Sequence, residues 1–203
     1  MNFRPNKIIG IARNYRAHAA ELNNTVPEAE PLFFYKPTSS IIFSGGTVIL
    51  PQHVGRVDYE GELGVVISAT AKNIEEEKVN QVIKGLVPAF DITARALQKS
   101  KGHFSLAKGF DTFCPIGILA ESSSDGSDLR LRTYLNDECV QDSSTSNMVH
   151  SVPRLISYLS SVITLEENDL ILTGTPAGVG PINPGDNLRL EIDGLSALTC
   201  SVM

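Results

Sequence analysis

The stretch Val57-Asp58-Tyr59-Glu60-Gly61-Glu62-Leu63-Gly64-Val65-Val66-Ile67 constrains this chain more than any other. Leu63, Val65, Val66 and Ile67 are apolar and mostly β-forming, so the stretch reads as a strand. Alternate side chains of a strand share a face, which points Glu60 and Glu62 the same way, about 7 Å apart along the backbone. Two carboxylates that close repel unless a proton or a cation lies between them. Hard oxygen ligands of this kind suit Mg²⁺, Mn²⁺ or Ca²⁺ better than zinc. An edge strand with two charges on its solvent face accounts for the same residues. The rest of the chain has to separate these readings.

A chain of 203 residues, 42% of them hydrophobic, is long enough for one domain with a full core. The net charge of −6 argues against nucleic acid and anionic membrane surfaces as partners, since both attract basic patches. No apolar run approaches the roughly 20 residues that span a bilayer. Met1-Asn2-Phe3-Arg4-Pro5 lacks the apolar core of a signal peptide. Cys114, Cys139 and Cys200 are odd in number and widely spaced, so neither a disulfide framework nor a zinc site is expected. All three read as small core residues, and a reducing cytoplasm is the simplest setting.

Along the chain, residues 7–12 form a strand candidate, followed by helix formers over residues 13–22. On a helix His18 and Glu21 stand three apart and can touch. A carboxylate beside an imidazole raises its basicity and fixes its tautomer, as a general base requires, and an incidental surface pair has the same spacing. Residues 23–31 form a polar, proline-bounded loop. Strands are expected over residues 32–36, 41–43 and 48–50, and a helix from Asn73 to Lys84 stopped by Gly85. Residues 86–90 form an apolar strand ending at Asp91, which serves as a ligand held by a rigid strand or as the N-cap of a helix over residues 93–99. A polar turn over residues 98–104 leads to Lys108, set among glycine and apolar residues, where a partly desolvated ammonium stabilises an oxyanion; a solvated surface lysine is the alternative.

Strand character resumes over residues 114–120, and residues 130–135 alternate as a half-buried strand before an Asn136-Asp137 turn. Ser151-Val152-Pro153 opens a helix to Ser161, with Leu155, Ile156, Leu159 and Val162 on one face. Residues 170–173 run into Gly174-Thr175-Pro176-Ala177-Gly178-Val179-Gly180, which lacks the Gly-Lys-Ser/Thr ending of a phosphate-binding loop. Asp193-Gly194 marks a final hairpin. The pattern gives an α+β fold, mostly β and mostly antiparallel, with the later two-thirds curled into a barrel-like or sandwich core.

These motifs stand in an order that resembles the fumarylacetoacetate hydrolase family, in its small acylpyruvate hydrolase and oxaloacetate decarboxylase branch. The matching stretches are Gly10-Ile11-Ala12-Arg13-Asn14-Tyr15 with His18 and Glu21, Asp58-Tyr59-Glu60-Gly61-Glu62-Leu63, and Asp91 with Arg95 and Gln98. Ala107-Lys108-Gly109-Phe110-Asp111 up to Pro115, Gln141 to Met148, and Leu172-Thr173-Gly174-Thr175-Pro176-Ala177-Gly178-Val179-Gly180 complete them.

The resemblance implies a mixed β-sandwich roll with a few short helices over residues 1–203, with a lid in residues 1–45 and the roll core in residues 46–203. It implies a homodimer holding Mg²⁺ or Mn²⁺, with Ca²⁺ able to occupy the site in a crystal, on Glu60, Glu62 and Asp91. Lys108 would meet the substrate carboxylate or enolate oxygen, Arg13, Gln98 and Thr175 would bind substrate, and His18 with Glu21 would form a dyad on the lid. The substrate is then a small 2-oxo or β-diketo acid. Hydrolysis of a C–C bond in an acylpyruvate comes first, and oxaloacetate decarboxylation or tautomerisation, or isomerisation of a hydroxymuconate-type diacid, second. A silent binder of metal and dicarboxylate is the non-enzymatic alternative. Hydrolysis needs a base, and His53, His103 and His150 have no acidic partner at helical spacing.

Overall fold

In chain order the strands are β1 (Ile8–Ala12), β2 (Leu32–Lys36), β3 (Ile41–Phe43), β4 (Thr47–Val48), β5 (Val57–Tyr59), β6 (Gly61–Ile67), β7 (Ile83–Phe90) and β8 (Thr93–Ala94). They continue with β9 (Cys114–Ile116), β10 (Ala120–Glu121), β11 (Arg130–Leu135), β12 (Glu138–Ser144), β13 (Leu170–Leu172), β14 (Gly180–Pro181), β15 (Asn187–Ile192) and β16 (Leu198–Val202). Four short helices, α1 (Arg16–Glu21), α2 (Arg95–Lys101), α3 (Phe104–Lys108) and α4 (Val152–Val162), complete the elements used below. The computed structural model describes residues 3–101 and 103–203. Met1 and Asn2, at the head of the expected N-terminal segment, and Gly102, within the expected polar turn, lie outside them. Among the described residues no helix is long and apolar enough to cross a membrane.

The strands form an eight-stranded sheet in the order β2-β1-β13-β6-β7-β9-β3 with β10 on β7, a five-stranded sheet β12-β11-β15-β16-β4, and a three-stranded sheet β14-β5-β8. Most pairings are antiparallel; β1 with β13, β3 with β9 and β4 with β16 are parallel. The large sheet curls. Its two edge strands β2 and β3 are joined only by Pro37 and a 3₁₀ turn, Thr38–Ser40. This is the mixed, mostly β roll with a few helices that the sequence implies.

Period-two alternation places the core on both faces of the large sheet. Leu63, Val65 and Ile67 of β6 enter the main core with Leu131, Leu155, Leu159 and Leu190, while Val66 joins Ile8, Val87, Ala89, Leu170 and Leu172 on the opposite face. In α4, Ser151 caps the helix by accepting from the Arg154 N–H at 3.4 Å, and Leu155, Ile156 and Leu159 are buried. Val162, expected on the same face, is exposed. Asn136 and Asp137 have φ of 50° and 68°, the paired left-handed values that a two-residue hairpin needs.

Several expectations are corrected. The strand expected unbroken over residues 57–67 divides at Glu60, where the chain passes from the three-stranded to the large sheet. The helix expected from Asn73 to Lys84 is a 3₁₀ stretch, Glu76–Gln81, and Gly85 lies inside β7. Val79, Val82 and Ile83 have helical spacing, but Gly85 serves strand contact: a Cβ there would lie 2.2 Å from the Ala120 carbonyl oxygen. The first helix is shorter than residues 13–22, because Arg13 takes φ 58° and Tyr15 bridges to Met148. Thr93 and Ala94 pair with β5, so the next helix begins at Arg95 and fills most of the expected turn. The strand expected over residues 114–120 is two separate pieces, β9 and β10. Cys114 and Cys200 are buried as expected, but Cys139, in a hairpin strand, is exposed.

Candidate active site

Strand register brings the polar groups together. Gly10 of β1 pairs with Phe34 and with Leu172, Leu172 pairs with Gly64, and Glu62 pairs with Ala89. Paired residues share a face, so Phe34 and Lys36 of β2, Glu62 of β6 and Asp91 just beyond β7 belong to one side of the curled sheet. Glu60 joins them from the junction between sheets, where its carbonyl accepts the Asp91 N–H at 2.8 Å. Carboxylate oxygens of Glu60, Glu62 and Asp91 lie within 4.8 Å of one another, and all three residues are buried. The edge-strand reading of this stretch is thereby excluded.

Close backbone approach makes the cluster possible. A Cβ at Gly61 would stand 2.2 Å from Thr133 Oγ1. The Gly61 N–H donates to Gln141 Oε1 at 3.0 Å, and its carbonyl accepts from Thr175 Oγ1 at 2.9 Å. Gly174, at φ 97°, turns its N–H onto Glu62 Oε2 at 2.7 Å.

Cations surround the cluster. Lys108 Nζ donates to Glu60 Oε2 at 2.7 Å and also ion-pairs with Asp91. Lys36 Nζ donates to the other Asp91 oxygen at 2.6 Å and to the Phe113 carbonyl at 2.9 Å. Arg95 ion-pairs with Glu60 and reaches Asp58 at 2.9 Å. Among the described residues Glu62 alone of the triad has no ion pair.

Electrostatics follow this division. Burial works to raise the Glu60 pKa, but the Lys108 and Arg95 charges outweigh it and hold the carboxyl well below its ordinary range. Burial together with the Asp91 and Glu60 charges pushes Glu62 well above it. When only lysine and arginine balance the triad, its repulsion falls mainly on Glu62 and favours the neutral form of that carboxyl. Burial disfavours the Lys108 ammonium, yet Asp91 and Glu60 raise its pKa and keep it charged. Three buried oxygen donors with such crowding form a donor set that fits a hard divalent cation.

Glu60 and Glu62 of the triad line a cavity of about 230 Å³ together with Lys108, Arg13, His18, Asn24, Gln98, Lys99 and Phe104, and Asp91 reaches it through its contact with Lys108. Gln98 Oε1 accepts from Arg95 at 2.7 Å, and arginine only donates; among the described residues the Gln98 amide N–H₂ has no partner, which leaves it for a ligand. Thr175 also lines the cavity, but its hydroxyl donates to Gly61 and accepts from Gln141 at 2.8 Å, so it braces the backbone. Arg13 holds a left-handed backbone, which a non-glycine residue adopts at a cost of order 1–3 kcal/mol and often at ligand sites.

His18 Nδ1 lies 3.5 Å from Glu21 Oε2 and makes no hydrogen bond, although the imidazole is buried. Glu21 meanwhile accepts the Gly178 N–H at 3.2 Å, tying α1 to the glycine-rich loop. Burial, aided by the Arg95 and Lys108 charges, lowers the His18 pKa and favours the neutral ring. Unliganded catalytic pairs are commonly long and tighten when substrate binds.

Sequence reasoning missed Lys36, Asp58 and Asn14 as site components. Lys36 had a signal: a lysine on the same strand face as Phe34, running into Pro37. Asn14 had none. Its amide donates to the His150 and Thr173 carbonyls at 3.0 and 2.9 Å, joining segments far apart in sequence.

Comparison with known proteins bears on this geometry. The model for the fumarylacetoacetate (FAA) hydrolase C-terminal family matches residues 7–203. A protein of Oryza sativa subsp. japonica named mitochondrial oxaloacetate tautomerase is 45% identical over 198 residues, spanning 93% of this chain and 86% of its own. A mitochondrial oxaloacetate decarboxylase of Dictyostelium discoideum is 40% identical over 196 residues, spanning 93% and 89%. The crystal structure of fumarylpyruvate hydrolase from Pseudomonas aeruginosa, in complex with Mn²⁺ and pyruvate, matches with a TM-score of 0.93 at 31% identity, over 100% of this chain and 91% of that one. Matched from residue 7 to its end and by relatives of near-full coverage, the chain belongs to the fumarylacetoacetate hydrolase family.

Proposed function

We propose that the protein is a divalent-metal-dependent enzyme that acts on small 2-oxo acids through their enolates, with oxaloacetate the favoured substrate. The observation that carries this reading is the convergence of Glu60, Glu62 and Asp91 around Lys108, with Glu60, Glu62 and Lys108 lining one cavity. Oxaloacetate takes first place over an acylpyruvate because the relatives at 45% and 40% identity bear its name. Arg13 and Lys99 on the cavity wall offer cations for its second carboxylate.

Glu60, Glu62 and Asp91 would hold Mg²⁺ or Mn²⁺, which supplies a Lewis acid to the substrate's keto oxygen. Lys108 faces the negative charge that develops on that oxygen, and Gln98 donates its free amide N–H₂ to the neighbouring carboxylate. Arg95 fixes Glu60, and Lys36 occupies one Asp91 oxygen, so each ligand keeps one orientation. With its proton on Nδ1 toward Glu21, His18 is left with Nε2 as the acceptor. In tautomerisation that nitrogen takes the proton from the carbon beside the keto group, the enolate oxygen then gains a proton from solvent to give the enol, and the imidazolium returns its proton to solvent. Loss of CO₂ requires no such base.

A second reading, hydrolysis of an acylpyruvate, is favoured by the same imidazole, since His18 Nε2 would take the proton of an attacking water. His18→Ala separates the chemistries. Acylpyruvate hydrolysis is expected to fall by roughly 10²–10⁴, the usual worth of a general base, while oxaloacetate decarboxylation falls far less. Because burial lowers the His18 pKa, the neutral, active ring persists below its ordinary 6.5. The acid limb of the base-dependent reactions should therefore lie under pH 6.5. Assays of acetylpyruvate and oxaloacetate with Mg²⁺ across pH check both points. Equal losses on the two substrates would make His18 a lid-positioning group instead.

A further inference from the structure

The segment Met148, Val149 and His150 holds both ends of the excursion that carries α1. At its root, Tyr15 bridges to Met148, the Val149 N–H donates to the Asn14 carbonyl at 2.8 Å, and the His150 N–H donates to Asn14 Oδ1 at 2.8 Å. Asn14 answers by donating to the His150 carbonyl at 3.0 Å. At the far end, His150 Nε2 lies 2.7 Å from the Pro27 carbonyl oxygen. A carbonyl only accepts, so Nε2 carries a proton and donates. His150 is 6% exposed.

Between the two anchors lie His18, Leu22 and Asn24, all on the cavity wall. The other side-chain ties of this excursion, Arg16 with Glu28, Glu21 with the Gly178 N–H and Tyr158 with Glu30, are solvent-exposed. Exposed pairs contribute little, because water competes for both partners. The part-buried His150 bond is therefore better shielded from water than the other side-chain ties at the outer end of the loop among the described residues.

We infer that His150 is a positioning residue that latches the loop over residues 23–27 to the body of the protein and so sets how firmly α1 closes on the substrate cavity. The consequence for substrate rests on the proposed reading of α1 as the base-bearing lid; the latch itself does not. His150 bonds Pro27 directly and touches no group of the triad.

The test uses amides that already report on the lid. The N–H groups of Leu22, Asn23 and Asn24 donate to the carbonyls of His18, Ala20 and Ala19 at 3.3, 3.0 and 2.8 Å. Hydrogen exchange at these three positions in the unliganded protein is compared among the parent, His150→Phe, His150→Asn and His150→Gln. Phenylalanine keeps the ring and loses the donor, asparagine falls short of Pro27, and glutamine places an N–H₂ at a similar reach. Exchange is expected to quicken roughly two- to tenfold in the Phe and Asn variants, the range set by one net hydrogen bond. The Gln variant should exchange like the parent. With substrate, the Phe variant should show KM raised by a similar factor and kcat changed less. Parental exchange in both the Phe and Asn variants, or exchange in Gln as fast as in Phe, would overturn the latch. Exchange needs no turnover, so a failure of the proposed chemistry leaves this result intact.

Discussion

A Glu62→Gln variant is expected to fold at least as well as the parent protein and to lose its turnover. Glu62 is buried, and burial with the Asp91 and Glu60 charges raises its pKa well above the ordinary 4.5. An acid whose folded pKa is raised contributes stability below its unfolded value and loses it as pH rises through the folded value. At neutral pH without metal Glu62 is ionised in the unfolded chain, so folding must bring it a proton or bury its charge, and a neutral isostere removes that cost. Its acceptor oxygen still takes the Gly174 N–H. Binding of a divalent ion depends on the opposite state, since the ligand must be ionised. Turnover should fall by more than the roughly 10–100-fold that loss of an outer partner of a metal site costs. Thermal melts in EDTA and oxaloacetate assays with Mn²⁺ check the two halves. Parental turnover would remove Glu62 from the ligand set.

Lys108→Ala should be nearly as damaging, for two separable reasons. In the proposed reaction Lys108 Nζ is the donor that meets the developing charge, and loss of such a donor costs about 3 kcal/mol, or roughly 10² in rate. The same ammonium also bridges Glu60 and Asp91 in a buried site. Removing one partner of a buried ion pair costs about 3–5 kcal/mol, because the remaining charge is left uncompensated. The variant should therefore melt lower than the parent in EDTA. A divalent ion supplies the missing charge, so Mn²⁺ should raise the melting temperature of the variant by more than that of the parent. Parental turnover would reduce Lys108 to a counter-ion, and an equal Mn²⁺ response in both proteins would separate it from the triad.

Features governed by local pattern were legible in the sequence. Alternation around Glu60 and Glu62, the Asn136-Asp137 turn, the Ser151 cap and the apolar strand ending at Asp91 all follow from periods and turn chemistry. What escaped depends on closure of the sheet. Lys36 meets Asp91 only because the roll brings β2 toward the end of β7. Gly85 resembled a helix stop because the strand contact that requires it comes from Ala120, far along the chain. The break at Glu60 reflects two sheets sharing one strand-like stretch, and alternation within that stretch carries no record of it. His150 had no local acidic partner, and its partner is a backbone carbonyl more than a hundred residues away.

In the proposed reaction the buried triad works by holding a divalent ion for enolate chemistry. Oxaloacetate turnover of EDTA-stripped protein, measured before and after adding Mn²⁺ or Mg²⁺ and corrected for the metal-only rate, tests it most directly. No enzymatic rate is expected in EDTA, with recovery on adding either ion and no recovery in Glu62→Gln. An undiminished enzymatic rate in the stripped protein would contradict it.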